Sequence, residues 1–108
     1  MKKGTLFPGE SETRTGESFD ILIATDEFRL ERILSRAHAT PEGEWYDQDW
    51  AEWVLLVKGS AGLLIWGEPD VMILMPGDYV YLPKHLRHRV EWTDPRTETI
   101  WLALHYAG

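Results

Sequence analysis

Short runs of strand-forming residues, each closed by a turn signal, fill this chain from Phe19 to Tyr106 and leave little room for helix. The runs are Phe19 to Ala24, Phe28 to Ala37, Glu52 to Lys58, Ala61 to Trp66, Val71 to Met75, Tyr79 to Leu82, His88 to Thr93 and Thr99 to Tyr106. Between them stand Thr25-Asp26, Thr40-Pro41-Glu42-Gly43, Lys58-Gly59, Gly67-Glu68-Pro69-Asp70, Pro76-Gly77-Asp78, Pro83-Lys84 and Thr93-Asp94-Pro95. Glycine there supplies positive φ, and proline removes an amide proton from the ladder. Regular punctuation of this kind predicts an all-β sandwich or barrel of about eight to ten short antiparallel strands.

Trp53-Val54-Leu55-Leu56-Val57 and Ile100-Trp101-Leu102-Ala103-Leu104 are apolar on both faces. Such strands have something apolar behind them as well as in front: a second sheet, the amino-terminal arm or a partner subunit. A homodimer is the expectation.

At 108 residues and 44% hydrophobic content the chain has enough apolar surface for one core and too little for two. Residues 1–17, rich in Gly, Glu, Thr and Ser, read as a loosely structured arm, and residues 18–108 as a single domain. The absence of cysteine excludes disulfides, thiolate ligands and cysteine nucleophiles. A net charge of -7 opposes a phosphate backbone, so no nucleic-acid partner is expected. No stretch approaches the roughly 20 apolar residues of a membrane span, and no apolar run follows Met1-Lys2-Lys3. The expected compartment is the cytoplasm, with no membrane partner.

The run from Pro76 to His88 carries the strongest functional signal. Gly77 and Pro83 bracket the strand formers Tyr79-Val80-Tyr81-Leu82, and alternation from His88 puts His88, Val90 and Trp92 on one face, read as interior. Arg87, Arg89, Glu91 and Thr93 take the other face. Glu52 alternates with Val54 and Leu56, which carries its carboxylate toward an apolar interior and predicts a raised pKa. His85 reads as a rim residue and His105 as structural.

These residues resemble the cupin family of small double-stranded β-helix, or jelly-roll, barrels. Its second motif is Gly, five residues, Pro, one residue, Gly, two residues, His; Gly77, Pro83 and His88 match it, with His85 in place of the second Gly. The first motif ends in Glu, six residues and Gly, as Glu52 and Gly59 do, and 17 residues separate Gly59 from Gly77. The resemblance covers about residues 30 to 106. Metal-binding members carry His-x-His three or four residues before the Glu. The corresponding positions here are Tyr46 and Gln48, or Trp45 and Asp47, so both imidazoles are missing.

The resemblance implies a ligand set of Asp47, Gln48, Glu52 and His88 for any divalent ion such as Zn, Mn, Fe or Ni. That oxygen-rich set would hold a transition metal weakly, which favours a largely metal-free site. Glu52 and His88 are the candidate catalytic pair. Tyr46, Tyr81, Trp92 and Trp101 are candidates to line a ligand pocket. Three functions remain open. One is a barrel that binds a small molecule without chemistry, and another is a metal-dependent dioxygenase, isomerase or decarboxylase acting on a small organic acid or sugar. The third is a metal-free enzyme with His88 as base and Glu52 as acid.

Overall fold

The computed structural model describes residues 1–7, 9 and 16–107, and its regular structure is all β. Eight strands follow in order: β1 (Gly16–Ala24), β2 (Phe28–Arg36), β3 (Ala51–Lys58), β4 (Ala61–Ile65), β5 (Met72–Leu74), β6 (Tyr79–Leu82), β7 (His88–Thr93) and β8 (Thr99–Tyr106). They form a five-stranded sheet ordered β1-β2-β8-β3-β6 and a three-stranded sheet ordered β5-β4-β7, with every pairing antiparallel. The two sheets pack through one apolar cluster and are not hydrogen-bonded into a closed barrel, so the architecture is an open jelly roll. Among the described residues no helix is long and apolar enough to cross a membrane.

The chain changes sheets at its turn residues. Between β3 and β4, Gly59 takes φ 89°, and a Cβ there would collide with the side chain and backbone of Thr99. Between β5 and β6, Gly77 takes φ 97° while its amide donates to the Leu56 carbonyl at 2.8 Å. Pro83 ends β6, and His85, at φ 65°, turns the chain toward β7.

Register decides which side chains face inward. Glu52 lies opposite both His105 and Leu82, Val54 opposite Ala103 and Val80, and Leu56 opposite Trp101. On the next strand Arg29 pairs with His105, Glu31 with Ala103 and Ile33 with Trp101. Residues directly opposite in an antiparallel pair share a face, so the inner face carries charged rows at one end and apolar rows at the other. Leu56, Leu63, Leu74 and Trp101 form the buried apolar end with Ala61 and Ala103, each large side chain contributing about 1.5–3 kcal/mol by leaving water. The imidazoles and carboxylates are anchored beside this packed end.

Two expectations about inward-facing aromatics are corrected by the register. On β7 the pairing runs Gly62 to Trp92 and then Leu63 to Val90, so Glu91 is an extra, bulged residue that reverses the alternation. Trp92 therefore turns outward, 37% exposed, and lies so close over Gly62 that a Cβ there would meet its indole. Tyr81 pairs with Trp53, one residue out of phase with Glu52 and Leu82, and is 51% exposed on the outer face.

β1 begins at Gly16, ahead of the boundary expected at residue 18. Much of the expected arm, Pro8 and residues 10–15, lies outside the described residues. The Thr5 carbonyl accepts a 3.0 Å hydrogen bond from Arg32 Nη1, which also pairs its guanidinium with Asp20 at 2.7 Å.

Candidate functional site

A cavity of about 280 Å³ opens between the sheets at the charged end of the inner face. Its walls include Ile33, Val54, Leu63, Leu82, Val90 and Trp101, and its polar groups are Glu17, Arg29, Glu31, Tyr46, Gln48, Glu52, His88 and His105. Trp101 is 4% exposed, and its indole N–H donates to Ser35 Oγ at 3.2 Å, which fixes the ring as a wall.

His88 opens β7 and is held from three sides. Its amide and carbonyl exchange hydrogen bonds with Tyr46 at 3.1 and 2.8 Å, and the Tyr46 ring stacks on the imidazole with centroids 5.5 Å apart. Nδ1 lies 3.0 Å from the Leu86 carbonyl, which assigns the ring proton to Nδ1 and leaves Nε2 an acceptor. Burial pushes the pKa down; the Leu86 contact opposes this and His105 adds to it, so the ring is neutral at pH 7.

Glu52 reaches the same space from β3, with Oε1 3.8 Å from His88 Nε2 and Oε2 3.2 Å from His105 Nε2. Burial, then the neighbouring Glu31 and Glu17 carboxylates, raise its pKa to about 7, with Arg29 opposing. The carboxyl is therefore present in both protonated and ionised forms near neutral pH. His105 Nε2 lies 2.9 Å from Glu31 Oε1, yet it is wedged between two carboxylates without an aligned hydrogen bond to either. Burial lowers its pKa, and Glu31 partly restores it. The Tyr46 hydroxyl is held protonated by burial and by Glu17, whose Oε1 lies 3.5 Å away.

The candidates read from sequence divide between this cavity and the surface. Glu52, His88, Tyr46, Gln48 and Trp101 line the cavity together. Asp47 does not: it points outward to His85 Nδ1 at 2.9 Å and Arg87 Nε at 3.7 Å, because its neighbours Tyr46 and Gln48 take the inward positions. Tyr81 and Trp92 are outside as well, for the reasons of register given above. Glu17, Arg29, Glu31 and His105 also belong to the cavity; the first three are not among the sequence candidates, and His105 is expected from sequence to be structural. Their signal was parity, since His105 shares its face with Ala103 and Trp101.

A protein from Ralstonia eutropha JMP134, provisionally named a mannose-6-phosphate isomerase, is similar in structure to this chain with TM-score 0.95 and 40% identity over 100% of both chains. An RmlC-like cupin from Shewanella frigidimarina NCIMB 400 matches with TM-score 0.71 and 17% identity, over 90% of this chain and 81% of its own. The chain belongs to the cupin family. A polyketide cyclase from Streptomyces resistomycificus shares the fold at TM-score 0.76 and 19% identity, over 100% of this cupin and 80% of that protein. The sequence matches no family model and none of the curated proteins.

A resident metal ion needs at least three donors turned on one point. In this cupin the closest donors meet in pairs, Glu31 and His105 at 2.9 Å, His105 and Glu52 at 3.2 Å, and Glu52 and His88 at 3.8 Å. Among the described residues no group of three or more His, Asp or Glu side chains is arranged to hold an ion. Where metal-binding members have imidazoles, Tyr46 is committed to stacking on His88 and Gln48 brings only an amide to the cavity; in the other alignment Asp47 turns to the surface. The residues present do not fit a resident metal.

Proposed function

We propose that this cupin binds a small organic molecule inside the jelly roll without a resident metal. The apolar body packs against Trp101, Val54 and Leu63, and the polar head meets Glu52, His88 and His105. The observation that carries the reading is the buried Nε2 of His105, left without an aligned hydrogen bond beside a carboxyl that is half protonated near pH 7. Buried polar groups of this kind are satisfied by a ligand or by water.

Proton transfer within the bound molecule is the second reading, favoured by the neutral Nε2 acceptor of His88 lying 3.8 Å from a Glu52 carboxyl that titrates near neutral pH. Glu52 is then the acid and His88 the base. The provisional name of the Ralstonia protein points to an isomerase, but a sugar phosphate fits this cavity poorly. Among the described residues Arg29 is the one Lys or Arg in its lining, against three carboxylates.

The reading includes a second copy of the chain as partner. β1 is a sheet edge and exposes Phe19, Ile21 and Ile23, an apolar strand that a partner's surface would cover.

Fragment screening by heteronuclear NMR tests the binding reading. Hits are expected to shift signals of Glu52, His88, His105 and Trp101 together. Hits that perturb only the outer face around Tyr81 and Trp92 would place binding elsewhere and refute the proposal.

A further inference from the structure

The charge of the cavity selects its occupant. Glu17, Glu31 and Glu52 have side chains only 12%, 8% and 11% exposed, whereas the Arg29 side chain, their compensating cation, is 42% exposed. Water reaches the Arg29 side chain more than it reaches the carboxylates, although its Nε is buried beside Glu31. His88 and His105 add no charge in their neutral forms, because protonating either means burying a cation in a largely apolar space. Among the described residues the lining is left with an excess of negative charge.

The hydrogen-bonding inventory points the same way. His88 Nε2 is an acceptor because Nδ1 is engaged with the Leu86 carbonyl. It faces Glu52 Oε1 at 3.8 Å, too far for a hydrogen bond between them and close enough for one donor group to reach both. When ionised, the carboxylates of Glu31 and Glu52 are acceptors only. His105 Nε2, between the Glu31 and Glu52 carboxylates, and Arg29 Nε, 3.6 Å from Glu31, are both buried without an aligned bond. A donor head group can bridge His88 Nε2 and the Glu52 carboxylate, which an acceptor cannot do.

We propose that this cupin selects an organic monocation, a primary ammonium carried on an apolar body about the size of a cyclohexyl ring. The ammonium sits between His88 Nε2 and the carboxylates of Glu52 and Glu31, and the ring lies against Trp101 and Val54. The proposal rests on the ligand-binding reading above and adds the sign of the ligand's charge. Arg29 is its competitor: it lines the same cavity and holds Glu31 at 3.6 Å.

Calorimetric titration of the intact protein at pH 7.5 with cyclohexylammonium, cyclohexanol and cyclohexanecarboxylate varies charge at nearly constant shape. The ammonium is expected to bind at least about tenfold more tightly than either of the others, the scale of one well-placed charge-assisted hydrogen bond. Arg29→Met keeps the length of the side chain and removes the competing charge. It should tighten ammonium binding several-fold, a direction that structural damage would not produce. Equal or tighter binding of the alcohol or the carboxylate, or weaker ammonium binding by Arg29→Met, overturns the choice of a cation and leaves the ligand-binding reading intact. Failure of all three probes to bind at millimolar concentration overturns both.

Discussion

Replacing Glu52 with Gln is expected to alter the pH dependence of stability more than the stability at any single pH. In the native protein Glu52 holds its proton up to about 7, whereas in the unfolded chain it releases the proton near the ordinary 4.5. Between these values the native state binds more protons than the unfolded state, so this group's contribution to stability falls as pH rises. The penalty is absent below the lower value and complete above the upper one. Linkage puts it at about 3 kcal/mol at pH 8 and below about 1 kcal/mol at pH 5. Glutamine keeps the shape and carries no charge to bury. Urea denaturation followed by tryptophan fluorescence should therefore show the variant gaining about 2–3 kcal/mol on wild type between pH 5 and pH 8. His88 and His105 titrate in both proteins and largely cancel in that difference. A wild-type-to-variant difference that is the same at both pH values would refute the placement of Glu52 in a desolvated interior.

Gly59→Ala combines a left-handed backbone with a collision against Thr99, and should cost at least about 2 kcal/mol in the same denaturation assay; a neutral outcome would contradict the tight crossing between the sheets. Self-association through the exposed apolar edge strand β1 predicts twice the 12.5 kDa chain mass by light scattering at micromolar concentration, and Ile21→Lys should return it to the single-chain value. A single-chain mass for the unaltered protein would count against a second copy as partner.

The legible parts of the fold were those in which local pattern and tertiary packing agree. Tyr79–Leu82, His88–Thr93 and Thr99–Tyr106 are strands with the limits their composition suggests, because Pro, Gly and Asp stop each one chemically. The inward turn of Glu52 was readable from Val54 and Leu56, which share its parity on a strand that must bury one face. Trp92 was misread because alternation survives only until a bulge, and the extra residue at Glu91 shows itself only once β7 is paired with β4. His105 was undecidable for a different reason. β8 is apolar on both faces, so Leu102 and Leu104 compete on equal terms with Trp101 and Ala103 until the neighbouring strands fix the parity. Glu31 lies in a strand that mixes charged and apolar side chains on both faces, and its role depends on His105 arriving opposite the next row. In the Tyr46-Asp47-Gln48 segment, which of the three turn inward is set by the backbone bridge between Tyr46 and His88, a long-range contact without a local signature.

Elemental analysis of protein purified without a histidine tag and dialysed to equilibrium bears most directly on the claim that this interior is an acid–base and ligand site instead of a metal centre. The lack of a three-donor group among the described residues predicts less than about a tenth of an equivalent of any transition metal per chain. One equivalent retained through dialysis and lost from the Glu52→Gln and His88→Ala variants would contradict the account.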